Sequence, residues 1–203
     1  INGRVTAFST ADTFALGGAG NGTFNVSTIG ASAQYRGFGS FEKTGASTWT
    51  LTGTTTALTP WTVSEGTLAI AQDGSLGNAA GSVTFDGGTL ATTASFTTAR
   101  ATTLATGGGT FAPSASTTLT HDGVISGAGQ LTMTGPGTLV LTGGNTYEGG
   151  TRLTAGVLQV AADTNLGDGD GGLIFDGGTL ATTASFAMDR AITLNAPGRF
   201  DVA

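Results

Sequence analysis

The sequence contains no cysteine, a single lysine and few charged residues of either sign. Charged residues make up 10% of the chain and the formal net charge is −6, whereas soluble globular proteins carry roughly 25% charged residues. A protein that binds a phosphate backbone needs clustered lysine and arginine to release counterions. The seven basic residues here do not cluster. The composition therefore predicts no nucleic-acid partner and disfavours binding to an anionic membrane surface.

Long apolar runs are also missing. No stretch of 18 or more apolar residues occurs, so the sequence predicts no transmembrane helix. Ile1–Ala7 lack the basic segment and the apolar segment of a signal peptide, so we expect any targeting segment to lie outside this chain. Without cysteine there are no disulfides, and stability has to come from an extensive core.

Glycine is abundant, with 36 residues, and hydrophobic residues make up 38% of the chain. Threonine and valine favour strands, and glycine allows tight turns with positive φ. Apolar residues alternate in short segments that are separated by turn signals such as Gly135-Pro136-Gly137 and Asp176-Gly177-Gly178, as in strands that bury one face. No segment of helical length shows a helical apolar pattern. The sequence therefore predicts an all-β fold.

An internal repeat organises the chain. Phe85–Phe96 recurs without change as Phe175–Phe186, an offset of 90 residues that continues on both sides, for example from Arg100 to Arg190. We predict one β-helix domain over residues 1–203 that is a fragment of a larger protein. Its copies lie at about 38–127 and 128–203, and a partial copy covers residues 1–37.

The spacing of the apolar segments predicts the architecture. Equivalent positions recur at a nearly regular interval, as in Leu139 to Leu158 and Leu158 to Leu180. Three strands in a coil of about 20 residues predict a right-handed parallel β-helix of nine or ten coils, a rod roughly 45 Å long. An antiparallel sandwich or an up-and-down barrel also gives regular short strands. Neither readily explains the long identical segments of the repeat.

Residues 127–160 read GAGQLTMTGPGTLVLTGGNTYEGGTRLTAGVLQV. This segment resembles the autotransporter-associated β-strand repeat, also called the passenger-associated transport repeat. The first copy departs from the pattern, because Thr55–Trp61 replace the NTYxGGT segment. The resemblance implies a segment of a passenger from a bacterial type V autotransporter, exposed at the cell surface or secreted. It also implies display through the protein's own C-terminal β-barrel, which we expect outside this chain.

The resemblance implies a structural or adhesive function that also supports passenger secretion. Its partners would be host-cell or bacterial surface molecules, or other copies of the chain, and we predict no catalytic activity and no cofactor. One alternative is a stalk for an enzyme domain outside the fragment. Another is a carbohydrate-active β-helix enzyme, which needs a carboxylate cluster with an arginine or lysine base. With Lys43 as its only lysine and scattered arginines, this chain hardly provides that set.

One acidic segment is a candidate metal site. Asp163, Asp168 and Asp170 surround a GDGDGG run that resembles calcium-binding repeats, where carboxylates and carbonyls hold the cation. The aligned residues of the first copy are Asp73, Asn78 and Ala80, so two of the three carboxylates are lost. A calcium-dependent solenoid would repeat its ligands. We therefore predict a solvated Asp-Gly turn and no bound metal.

Other candidate residues favour structural roles. The only histidine, His121, precedes Asp122, but a catalytic triad also needs a serine nucleophile and the sequence has no GxSxG motif. Asp86 and Asp176 are expected to bond their own turns. Asn145 and Tyr147 are expected to form an asparagine ladder and to pack over a turn, although a binding role stays open.

Threonine pairs are a last candidate surface. Regular threonine arrays on a flat β-helix face can bind ice, and Thr-x-Thr pairs occur in this chain, for example Thr50/Thr52, Thr118/Thr120 and Thr132/Thr134. These pairs are not one coil apart, so we predict no continuous array.

Overall fold

The computed structural model describes residues 3–202, so residues 1, 2 and 203 of the predicted domain lie outside the described part. The fold is an all-β, right-handed parallel β-helix, which confirms the predicted fold class. No helix among the described residues is long and apolar enough to cross a membrane.

The described residues form 23 strands and three 3₁₀-helices. The strands are β1 Val5–Thr6, β2 Thr13–Leu16, β3 Gly22–Asn25, β4 Tyr35–Arg36, β5 Ser40–Lys43, β6 Thr48–Thr52, β7 Trp61–Val63, β8 Thr67–Ile70, β9 Val83–Phe85, β10 Thr89–Thr92, β11 Phe96–Thr98, β12 Thr102–Leu104, β13 Gly109–Pro113, β14 Thr118–His121, β15 Ile125–Ser126, β16 Leu131–Met133, β17 Thr138–Leu141, β18 Thr151–Leu153, β19 Val157–Val160, β20 Leu173–Phe175, β21 Thr179–Thr182, β22 Ile192–Leu194 and β23 Arg199–Val202. The 3₁₀-helices are η1 Val26–Thr28, η2 Asp73–Leu76 and η3 Asp163–Leu166.

All strands except β1 and β4 stack into three parallel sheets, which we call the first, second and third faces. The first face contains β2, β5, β7, β9, β12 and β15, and the third face contains β11, β14, β17, β19, β21 and β23. The second face is the longest and contains the nine strands β3, β6, β8, β10, β13, β16, β18, β20 and β22. Each strand pairs in parallel with its equivalent in the next coil, for example β8 with β10 and β10 with β13.

The second face contains one strand from each of nine coils, so the number of coils agrees with the prediction. The coil spacing is about 22 residues rather than 20. The coils vary in length, and most lack a strand on one of the other two faces, so the expected three strands occur in only some of them. On the second face, the step between the paired residues Thr48 and Thr67 is clearly shorter than the step between Thr23 and Thr50.

The missing strands differ between the two halves of the chain. Before Phe96, η1, residues 53–58 and η2 occupy the position in the coil that the third face takes later. After Ser126, residues 142–149, η3 and residues 183–190 replace the first face. All three faces occur together only in the three central coils, which contain β9–β11, β12–β14 and β15–β17.

This change places the two copies of the repeat on different faces. β9 lies on the first face, whereas its equivalent in the second copy, β20, lies on the second face. Likewise β10 lies on the second face and β21 on the third. One repeat therefore covers several complete coils and then one additional side of the next coil, so each copy begins one face further round the rod. Because strand pairing continues across residues 127 and 128, the exact division into copies stays a prediction.

The core is a set of interior columns in which equivalent side chains stack one coil apart. On the second face one such column is at most 4% exposed and contains Leu68, Leu90, Phe111, Met133, Leu153 and Phe175. Each interior residue contacts its column neighbours above and below, so the core continues from coil to coil. Burial of these side chains is worth about 1.5–3 kcal/mol each.

Two glycines show how closely the coils approach each other. Gly66 and Gly156, at equivalent positions of the two copies, have φ angles of +62° and +67°. A Cβ atom at Gly66 would collide with the carbonyl oxygens of Gly45 and Ser47, and one at Gly156 with those of Gly135 and Gly137. Only glycine allows both the left-handed conformation and this contact.

Aromatic residues fill the N-terminal end of the described rod. Phe14 packs against four other rings with centroid distances of 4.9–5.9 Å. A small sheet of β1 and β4 lies beside this cluster. The four rings belong to Phe24, Tyr35, Phe38 and Phe41.

The interior columns generate a testable prediction. Leu141 is 1% exposed and stacks between His121 and Val160, whereas its neighbour Val140 points outward and is half-buried. Leu141→Asp should lower the free energy of unfolding by more than about 4 kcal/mol, because it buries an unpaired carboxylate. Val140→Asp should lower it by less than about 1 kcal/mol. Urea unfolding followed by circular dichroism measures both, and equal effects would contradict the assigned strand register.

Candidate functional site

The GDGDGG segment surrounds an arginine side chain. The Nε and Nη2 atoms of Arg190 lie 2.8 and 3.0 Å from the two carboxylate oxygens of Asp163. The guanidinium, 1% exposed, also donates hydrogen bonds to backbone carbonyls of the segment that follows Asp163. These carbonyls belong to Leu166, Asp168 and Gly171, at 2.8–3.1 Å, and to Gly167, at 3.5 Å.

The first copy repeats this arrangement. Arg100 binds the carboxylate of Asp73 at 2.7 and 2.9 Å. It also donates to the carbonyls of Gly77, Asn78 and Gly81 at 2.6–3.0 Å. We call the two sites arginine cradles. The repeat aligns Arg100 with Arg190 and Asp73 with Asp163, but it does not indicate that arginine and aspartate pair, because the partners in each copy belong to different coils of the rod.

The cradles change the interpretation of the acidic segment. The carbonyls that could ligate a cation accept hydrogen bonds from Arg190 instead, and the carboxylate of Asp163 is an ion-pair partner. The prediction of a solvated turn is therefore wrong for Asp163. Asp168 is in an exposed turn, as predicted, where its carboxylate accepts from the amide of Asp170 at 2.9 Å. Across residues 3–202 no group of three or more potential metal-binding residues comes together.

His121 is an interior residue and is 2% exposed. Its Nε2 lies 2.9 Å from Thr102 Oγ1 and its Nδ1 lies 3.2 Å from the carbonyl oxygen of Gly123. A neutral ring that donates from Nδ1 and accepts at Nε2 satisfies both contacts. The Asp122 carboxylate accepts from Thr142 Oγ1 at 2.6 Å and is exposed. This histidine is buried inside the coil, and among the described residues its ring nitrogens contact neither a serine hydroxyl nor a carboxylate, as a catalytic triad would require.

Asp86 and Asp176 link neighbouring coils. Asp86 accepts from the amide of Gly107 at 3.0 Å. Asp176 accepts from Asn195 Nδ2 at 3.0 Å and forms an ion pair with Arg152. The expectation that these carboxylates bond their own turns is therefore wrong. Each carboxylate follows a strand and binds the residue that follows the equivalent strand in the next coil.

Asn145 and Tyr147 have structural contacts. Asn145 accepts from the amide of Ile125 at 2.8 Å and donates to the carbonyl of Asn165 at 2.6 Å. It thus joins three successive coils. Tyr147 is fully buried, with its hydroxyl 2.6 Å from Thr151 Oγ1, and burial raises the pKa of its phenol. The tyrosine lies inside the coil rather than over a turn.

The single lysine is also buried. Lys43 has no exposed surface, and its Nζ donates to the carbonyls of Thr44, Gly45 and Glu65 at 2.6–3.1 Å. Burial lowers the pKa of this amine, and the nearby Glu65 opposes the shift. Like the two cradle arginines, Lys43 is a buried cation that binds backbone carbonyls. No sequence pattern indicated this role.

An outward file of threonines runs along the second face. Five threonines pair directly in five successive strands, and each is half-buried. We call the surface around this file the threonine face. The Thr-x-Thr pairs do not stack as pairs, but the prediction of no continuous array is wrong for single threonines. The file consists of Thr48, Thr67, Thr89, Thr110 and Thr132.

Residues 41–70 and 126–160 match the family model described as passenger-associated-transport-repeat. A curated relative named Adhesin BmaC autotransporter, from Brucella suis biovar 1 (strain 1330), is 53% identical over 64 residues. That region is 32% of this chain but only 2% of the relative. No solved structure matches the chain. The predicted resemblance to autotransporter passenger repeats is thus confirmed.

The arginine cradles generate a second prediction. Arg190→Met should lower the free energy of unfolding by about 3–5 kcal/mol, because it leaves a carboxylate and several carbonyls without their partner. Asp168→Ala should change it by less than about 0.5 kcal/mol. Thermal unfolding with and without calcium measures both. A calcium-dependent rise in the melting temperature of the native chain would contradict the assignment of these carbonyls to Arg190.

His121 generates a prediction about pH. Burial lowers its pKa below the ordinary value, although Gly123, Asp122 and Asp73 oppose the shift. The folded state therefore prefers a neutral ring. Stability should be full above the unfolded-state pKa of about 6.5, and it should fall by at most about 1.4 kcal/mol per unit as the pH drops towards the folded-state pKa.

Urea unfolding at several pH values between about 7.5 and 5 tests this prediction. His121→Gln is the control, because glutamine keeps a polar side chain that does not titrate. The variant should lose less stability than the native chain over this range. An identical pH profile in the two proteins would show that His121 is not the titrating group.

Proposed function

We propose that this chain is an adhesive segment of an autotransporter passenger that is displayed at the bacterial cell surface. The single observation that carries the proposal is the similarity of its passenger-associated transport repeats to a protein named as an adhesin, with 53% identity over 64 residues. Display would use a C-terminal β-barrel elsewhere in the protein. The partners would be host-cell or bacterial surface molecules, or further copies of this chain.

The threonine face supports this proposal. Its outward residues on β6, β8, β10 and β13 are small and uncharged, although the chain as a whole carries a net charge of −6. Strand pairing holds these side chains in place, so little conformational entropy is lost when a partner surface binds. The residues are Thr48, Thr50, Thr67, Thr89, Ala91, Thr110 and Ala112.

A second candidate function is a stalk for another domain. It is favoured by one observation, namely that the matched region spans only 2% of the adhesin relative, so a long protein could carry its activity elsewhere. A stalk would hold that domain away from the membrane and would not adhere by itself. A carbohydrate-active enzyme is the third possibility, and incubation of the chain with polysaccharides, followed by measurement of released reducing ends, would reveal it.

Beads coated with the chain separate the first two functions. Coated beads should bind to one another, to bacteria or to host cells, and adhesion should fall by about tenfold in a Thr67→Glu/Thr89→Glu/Thr110→Glu variant, because charges buried in the contact oppose it. A Val140→Glu/Gln159→Glu variant on the third face is the matched control and should adhere normally. If native beads bind none of these surfaces, the segment is a stalk and the adhesive proposal fails.

A further inference from the structure

A pocket opens beside the N-terminal aromatic cluster, between the loop at residues 29–38 and the segment at residues 54–58. Its volume is about 280 Å³, and Phe41 forms part of its wall. A polar trough of about 620 Å³ adjoins it and shares Ile29, Gly30, Ala31 and Ala57 with the pocket. We call these two spaces the N-terminal pocket and the hydroxyl trough.

The first unusual feature of this region is a missing side chain. Ala57 stands at the position that Tyr147 occupies in the second copy. Tyr147 is fully buried, whereas Ala57 contributes only a methyl group and lies at the wall of the pocket. The same substituted segment, Thr55–Trp61, is where the first copy departs from the family pattern. The first copy thus places a methyl group, instead of an aromatic ring, at this position of the pocket wall.

The second feature is an inserted loop. The coil from β3 to β6 is longer than the next coil on this face, since Thr23 pairs with Thr50 whereas Thr48 pairs with Thr67. The additional residues form a wall that contains Tyr35 and Phe38. Backbone hydrogen bonds from Gly30 to Tyr35 and between β1 and β4 hold this loop in place. Two independent departures from the repeat therefore meet at one pocket, which is formed before any ligand binds.

The lining determines which ligand class fits. The pocket wall is mainly apolar, and Arg36 is its only charged residue. Arg36 Nε donates to Thr6 Oγ1 at 3.2 Å, and within residues 3–202 no carboxylate forms an ion pair with this guanidinium. The hydroxyl trough is lined by Ser27, Ser32 and Thr54–Thr56. A fitting ligand has an apolar group, a neighbouring anion and a polar extension.

Other ligand classes fit less well. The two spaces are lined by no Asp, Glu, Asn or Gln side chain, so they offer sugar hydroxyls no carboxylate or amide oxygen as an acceptor. One arginine in a chain of net charge −6 does not attract a nucleic acid. A cavity of about 150 Å³ accepts benzene, so a pocket of about 280 Å³ suits a larger ring system. An aromatic side chain on an extended polypeptide has the required combination.

We propose that the N-terminal pocket binds an aromatic side chain of an extended partner polypeptide, whose neighbouring acidic residue pairs with Arg36. The partner's backbone then lies along the hydroxyl trough. This inference rests on the proposed adhesive function and names a class of partner for it.

Titration of the ¹⁵N-labelled chain with blocked tetrapeptides, followed by NMR, tests the proposal. Acetyl-Gly-Trp-Asp-Gly-amide should shift the amide signals of Gly30, Ala31, Gly37 and Ala57 in a saturable manner. Replacement of Trp by Ala in the peptide should weaken binding by about tenfold or more, because the buried ring is lost. Replacement of Asp by Asn should weaken it by about threefold, as for an exposed ion pair.

Variants of the chain locate the site. Ala57→Tyr restores the residue of the second copy, fills the pocket and should abolish peptide binding, whereas Thr134→Tyr at an exposed position should leave binding unchanged. Arg36→Met should weaken the Asp peptide about threefold without affecting the Asn peptide. If Ala57→Tyr does not fold, Ala57→Leu fills part of the same space and should weaken binding. Unchanged affinity in the folded Ala57 variant would overturn the proposal.

The outcomes also distinguish this proposal from the proposed function. If the peptide binds elsewhere or does not bind, the proposal that the N-terminal pocket is the binding site is refuted. Adhesion of the coated beads would still support the adhesive function in that case. Peptide binding at the pocket without adhesion of the beads would support the pocket and refute the adhesive function of this segment. Saturable shifts of the same amides with a trimer of N-acetylglucosamine, in the absence of peptide shifts, would replace the polypeptide with a glycan as the ligand.

Discussion

The hydrogen bonds between successive coils are the interaction on which the whole structure depends. A strand of this chain has no hairpin partner, because its neighbours in the sheet come about one coil earlier and one coil later. Parallel pairing fixes the register, and the register in turn stacks the interior columns and the outward threonine file. A change that breaks one strand pairing therefore destabilises the coils on both sides, because the stability of each coil depends on the interfaces with its neighbours.

Irregular coil segments leave backbone carbonyls without sheet partners, and buried cations bind these carbonyls. Where a strand is replaced by a turn, several backbone carbonyls point away from any sheet partner, and buried polar groups need a hydrogen-bond partner. Arg100 and Arg190 each supply several donors in a fixed plane, and Lys43 supplies three. A planar guanidinium can donate to several carbonyls at once. The two arginines therefore allow a turn to replace a strand without opening the core, and Lys43 binds carbonyls at the corners between the first and second faces.

Much of the fold was predictable from the sequence, but the candidate sites were less so. Alternating apolar residues and their nearly regular spacing indicated the parallel β-helix, since both follow from local geometry. The cradle partners Asp163 and Arg190 were not paired, because they are 27 residues apart in the sequence and belong to different coils. The file from Thr48 to Thr132 was missed because its steps from coil to coil are unequal. The N-terminal pocket lies where the inserted loop meets the substituted segment around Ala57, and no sequence motif marks such a junction.

The displacement of the repeat by one face has a geometric consequence for an array of such units. Equivalent residues in consecutive copies do not lie in line along the rod but follow a spiral around it, because β9 and β20 occupy adjacent faces. Three copies would place a given side chain once on each face, and a fourth would bring it back to its original face. A contact residue encoded in every copy would thus be presented in all directions around the axis. Such a rod would meet a flat target surface equally well in any rotational orientation.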